Sequence, residues 1–164
     1  MAIGILAFPS ARNCKRWEYT DKVYERMDDS FFTMKNVREK NIGCRLDALK
    51  PGDIFYEDLL KNDERFSYCI IHHQTIFQKG NTPFTRKTFL SSVLSCFDSI
   101  SDTGLDSYLQ ERYGLHLPKS RIGEYILSGD IYYDKVSQIY YRDYETYLSE
   151  MEKGKTESIL IPLF

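Results

Sequence analysis

The chain has 164 residues, 42% apolar and 28% charged, enough for one ordinary domain or two small ones and too few for a large multidomain enzyme. A mean hydropathy of -0.45, with 5 Pro, 9 Gly, 13 Tyr and 10 Phe, describes a chain able to bury a core, which excludes the disordered and fibrous classes. The 22 Lys and Arg against 24 Asp and Glu leave a formal net charge of -2, so any nucleic-acid or membrane partner must be met by a local patch.

The first eight residues are apolar, but no Lys or Arg precedes them and Pro9 ends the run, so they do not read as a secretory signal. No stretch approaches the roughly 18 apolar residues of a membrane span. Cys14, Cys44, Cys69 and Cys96 are scattered without a C-x-x-C pair and read as reduced, mostly buried thiols of a soluble, cytoplasmic protein. Val23 and Met27 set the inner face of a first helix. Around it Arg12, Lys15, Arg16, Trp17, Tyr19, Lys22, Tyr24 and Arg26 interleave cations with aromatics, which also suits an arm for single strands or for a groove. Thr33 caps a second helix carrying Met34 and Val37, closing by Ile42 and Gly43. A third holds Tyr56, Leu59 and Leu60 inward and Asp53, Glu57, Asp58 and Lys61 elsewhere. From Arg65 to Lys79 the pattern is a hairpin, in which adjacent His72 and His73 would point to opposite faces of a strand and so would not share one metal.

The run Gly80-Asn81-Thr82-Pro83 is a boundary. After it, Thr85 caps a helix over 86–100 with Phe89, Val93, Leu94, Phe97 and Ile100 on one face. Asp102 caps the next, whose stripe is Leu105, Tyr108, Leu109 and Tyr113 and whose stop is Gly114. Pro118 opens a third helix with Ile122, Tyr125 and Ile126 inside and Gly129 at its end. Residues 131–141 alternate aromatic and β-branched positions around a polar turn, a second hairpin in which one tyrosine of Tyr132-Tyr133 and of Tyr140-Tyr141 faces in and one out. Tyr144, Tyr147, Leu148 and Met151 space a final helix closing near Gly154. The tail Ile159, Leu160, Ile161, Leu163 and Phe164 is too apolar to stand in water and docks on its own fold or on a partner.

Three helices followed by a hairpin, over residues 85–142, resemble the winged-helix superfamily in element order and spacing. The first half lies over the second: Met34, Val37, Ile42 and Gly43 match Leu105, Tyr108, Tyr113 and Gly114 at one constant separation, and Tyr56, Leu59 and Leu60 precede Ile122, Tyr125 and Ile126 at another. The expected fold is mainly α with small β-hairpins (α+β): two tandem winged-helix-like units, 1–80 and 85–164, the second extended by a C-terminal helix and apolar tail.

No chemistry-bearing spacing accompanies these elements. The chain has no G-x-x-x-x-G-K-S/T, G-x-G-x-x-G or H-E-x-x-H, His116 stands alone, and the acidic pairs lie at helix starts and turns, so an enzyme, a metal and a cofactor are not expected. Binding is. Arg65 to Lys87 contains no Asp or Glu but holds Arg65, Lys79, Arg86 and Lys87, with His72 and His73 between them. Such a wing suits a phosphate backbone. Lys119, Ser120 and Arg121 suit a recognition helix, whereas Asp53, Glu57 and Asp58 against Lys61 in the first half would be repelled by phosphates. The chain is therefore expected to be a non-catalytic regulatory protein that binds DNA or another nucleic acid through its first wing and second recognition helix. The alternative is a protein-interaction module or inhibitor that presents the acidic helix and a Tyr-rich surface.

Overall fold

A computed structural model describes residues 11–43, 52–118, 122 and 131–159, with the backbone alone at 11–17 and 154–159. Expectations at the side chains of Arg12, Cys14, Lys15, Arg16 and Trp17, at Cys44, Lys119, Ser120, Arg121, Tyr125, Ile126 and Gly129, and at the tail side chains lie outside what is described. Within them the fold is α+β, with six helices and two three-stranded antiparallel sheets, and no helix is long and apolar enough to cross a membrane. The chain divides into two compact units, Met1–Pro83 and Phe84–Phe164, at the end of the Gly80–Pro83 run.

The first unit runs α1 (Ala11–Arg26), β1 (Phe31–Phe32), α2 (Met34–Glu39), α3 (Asp53–Lys61), β2 (Phe66–Ile71) and β3 (Gln74–Lys79). Tyr19, Val23 and Met27, one helical turn apart, are all buried, which aims α1 at the core. Thr33 is the N-cap of α2, and Asn36 Oδ1 accepts the Thr33 backbone N–H at 2.9 Å, satisfying a donor at the helix start. The sheet order is β1-β3-β2. Phe32 sits opposite Phe77, stacks on it at 5.6 Å and meets the edge of Phe66 at 5.9 Å. With Leu60 and Met27 these rings form one continuous core, each worth roughly 1.5–3 kcal/mol relative to exposure.

The second unit runs α4 (Arg86–Leu94), β4 (Ser99–Ser101), α5 (Asp102–Tyr113), β5 (Tyr132–Asp134), β6 (Ile139–Tyr141) and α6 (Tyr144–Ile159). Its sheet order is β4-β6-β5. Thr85 Oγ1 accepts from the Thr88 N–H at 3.2 Å to cap α4. Gly114 closes α5 with φ +68, the left-handed conformation that a residue with a Cβ resists. Phe89, Leu90, Leu105, Leu109 and Ile122 are fully buried.

Several local expectations are corrected. Each hairpin gains a third strand, β1 and β4, from segments too short to show a pattern of their own. The helix expected over 86–100 ends at Leu94. Ile100 instead pairs with Tyr140 across β4 and β6, and Phe97 meets Tyr108 edge-on at 5.0 Å. The cap of α5 is Ser101, whose Oγ accepts from the Gly104 N–H at 3.1 Å. Asp102 is the first helical residue, buried, and accepts the Tyr133 hydroxyl at 3.1 Å. No outward tyrosine remains on β6, because Tyr140 and Tyr141 are both buried. Tyr133 stacks on Tyr140 at 4.5 Å, and Tyr147 of α6 covers Tyr132 and Tyr141 at 4.5 and 5.2 Å. That helix continues through Gly154 to Ile159. The two described thiols are not buried: Cys69 is half-exposed and Cys96 exposed.

Candidate interaction surface

Helix α3 carries more apolar residues than one face can hide. Leu59 and Leu60 are buried, and Tyr56 lies against Tyr19 of α1 at 4.7 Å. That stripe leaves Ile54 and Phe55 outside, 77% and 41% exposed. Asp58 shares their exposed side, one turn on from Ile54. Lys61 is bound to Glu57 at 3.1 Å within the helix. Glu57 also accepts the Thr75 hydroxyl of β3 at 2.8 Å, and Lys61 Nζ lies 5.6 Å from the Tyr68 ring on β2. These ties join the half-buried flank of α3 to the hairpin, where Tyr68 and Ile70 are 44% and 47% exposed. Asp53, in the first turn of α3, pairs with Arg38. The resulting face is apolar, with Asp58 as the carboxylate on its exposed side.

The first wing differs from a free cationic ribbon. Arg65 is committed: it donates to Asp63 at 3.0 and 2.7 Å, to Asp21 at 2.7 Å and to Thr20 at 3.0 Å, and its guanidinium stands 5.2 Å from the Tyr24 ring. Burial alone would raise the Asp63 carboxyl, but the hydrogen bonds from the Arg65 side chain, from Thr20 and from the Arg65 N–H outweigh it and hold the pKa at about 2. The bond to Asp63 in turn holds the Arg65 guanidinium above its ordinary range, against desolvation. Lys79 Nζ also lies over the Tyr24 ring, 5.0 Å from its centroid.

His72 and His73 do not occupy a strand. They are the two residues between β2 and β3, with φ +45 and +68, and the closing pair is Ile71 with Gln74. Positive φ at both central positions defines the hairpin turn that usually takes Asn-Gly. Both are exposed, and their rings stand 5.5 Å apart, so the premise that they face opposite ways fails. Arg86 and Lys87 open α4 and therefore belong to the second unit, whereas Arg65, His72, His73 and Lys79 belong to the first.

Sequence reasoning missed the exposure of Ile54 and Phe55. Its signal was available: Ile54, Phe55, Tyr56, Leu59 and Leu60 fall within one nine-residue helix, whose single buried stripe cannot hold them all. In the second unit, burial first and the Asp102 carboxylate second push the Tyr140 phenol far above its ordinary range, and Tyr133, which stacks on Tyr140, donates to the same carboxylate. No protein-family model matches the chain, and no curated protein or solved structure matches it.

Proposed function

We propose that the chain is a non-catalytic binding protein made of two winged-helix-like units, and that the first unit docks a protein segment of apolar and basic character on its α3–β2 face. The winged-helix reading draws support from the order helix, strand, helix, helix, strand, strand in the first unit and from a sheet order shared by both units. In that architecture α3 takes the place of the recognition helix. The observation that carries the docking reading is the composition of its exposed side. Ile54 and Phe55 stand beside Asp58, a surface that gains by covering apolar area and attracting cations and that repels phosphates.

A nucleic-acid reading retains one specific support, the exposed His72-His73 tip inside an acid-free stretch of chain. The two readings separate by experiment. A photo-crosslinking side chain at position 54 in the producing cell should yield discrete protein adducts, lost when Phe55→Ser and Asp58→Lys are added, and purified chain should leave duplex and single-stranded DNA unshifted at low salt. Nucleic-acid adducts at position 54, or a low-salt mobility shift abolished by Lys79→Glu with Arg86→Glu and Lys87→Glu, overturn the protein-docking reading.

A further inference from the structure

The tip of the first hairpin combines two properties that a connecting turn does not require. Both turn residues hold a left-handed backbone without being Gly or Asn, the residues that such a turn usually takes, and although His enters this region more readily than most side chains it does so less freely than Gly. Strain of this kind, kept where Asn-Gly would relieve it, points to a use for the side chains. The side chains are two imidazoles with ring centres 5.5 Å apart and planes at 52°. Two imidazoles bound through one nitrogen each to a single tetrahedral ion at ~2.0 Å place their ring centres roughly 5 Å apart. The turn thus holds the two ring centres near the separation that a shared ion requires.

We propose that His72 and His73 form a two-imidazole site for a divalent transition-metal ion of the nickel, copper or zinc class, with water or a partner's ligands completing the coordination. Among the described residues no cluster of three or more His, Cys, Asp and Glu could hold a metal, so the chain supplies two ligands here. The nearest stretch of sequence offers no carboxylate, from Arg65 to Lys87. An all-imidazole donor set favours borderline ions over Mg2+ and Ca2+, which prefer oxygen. The proposal rests on the turn and not on the docking reading of the α3–β2 face, although Ile70 of that face lies two residues before His72.

The test is a calorimetric titration of the full chain with Ni2+, against His72→Asn, His73→Asn and His116→Asn variants. Asn tolerates the left-handed conformation, so the turn variants retain the hairpin. The expected result is one Ni2+ per chain, weakened by about tenfold or more, at least 1.4 kcal/mol, in each turn variant and unchanged in His116→Asn or by added Mg2+. In parallel, Ni2+ should broaden the NMR amide signals of residues 70–75 before all others. Absence of binding, binding that only one turn histidine affects, competition by Mg2+, or broadening centred elsewhere overturns the proposal.

Discussion

Arg65 shows how far a single side chain's role can lie from its sequence neighbourhood. In sequence it opens a stretch of 23 residues without an acid, the profile of a phosphate contact. In the fold its donors are taken up by Asp63 just upstream and by Asp21 and Thr20 on α1, and the α1 partners are visible only once helix and strand have met. The Asp63 side chain is 4% exposed, so removing its charge leaves a cation without its main partner. Arg65 keeps Asp21 and is part-exposed, so Asp63→Asn should destabilise the first unit by about 2 kcal/mol, the loss of charge-assisted hydrogen bonds. The same carboxyl gives a pH signature. Its pKa is about 2 in the fold against 3.8 ordinarily. The folded value is depressed, so the stability it contributes, about 2.5 kcal/mol, is fully present above pH ~5 and is lost as the pH falls through 3.8 towards 2. Urea melts followed by circular dichroism at pH 6, 4, 3 and 2 measure this. Equal pH slopes for wild type and Asp63→Asn between pH 4 and 2 would sink the assignment.

At the scale of elements, what sequence made legible depended on whether an element forms by its own pattern. The helices α1, α3 and α5 carry stripes, and the caps at Thr33 and Thr85 and the stop at Gly114 were readable from residue type alone. The strands β1 and β4 carry no such signal. Phe31-Phe32 and Ser99-Ile100-Ser101 become strands only because β3 and β6 offer them backbone partners, a long-range event that local propensity cannot announce. The helix α4 was overdrawn for a related reason: Phe97 and Ile100 fall on its period, yet both are half-buried and lie beyond the helix, Phe97 in a connection and Ile100 on a strand. The N-caps Thr33 and Ser101 stand closer in sequence than the separation at which the two halves were overlaid. The β2–β3 turn was the opposite case, recognised as a hairpin but not as a two-residue turn, since His-His is not the composition such turns favour. Replacing His72 and His73 by Asn and Gly should therefore stabilise the hairpin by about 1–2 kcal/mol, read as a higher urea midpoint at unchanged slope. A lower midpoint would mean that the imidazoles stabilise the turn and that the backbone strain is offset locally.

Over the whole molecule, the turn-rich run Gly80-Asn81-Thr82-Pro83 was the most informative feature of the sequence, because four residues that oppose both helix and strand lie between two segments with their own apolar periodicity. Each segment closes a core. Leu60, Phe32 and Phe77 are fully buried in the first unit, and Phe89, Leu105 and Leu109 in the second. Docking on the α3–β2 face needs only the first of these cores, which ties the functional reading to local stability. Leu60→Ala should cost the first unit about 3 kcal/mol and speed exchange of its best-protected amides roughly a hundredfold. Protection in the second unit's β6 and α5 should stay as in the wild type. Leu109→Ala should give the mirror result and leave cross-linking at position 54 intact. Hydrogen exchange resolved by peptide mass decides between these outcomes. If either substitution loosened both sets of amides equally, the chain would fold as one cooperative unit, and a binding face confined to the first unit could not be separated energetically from the rest.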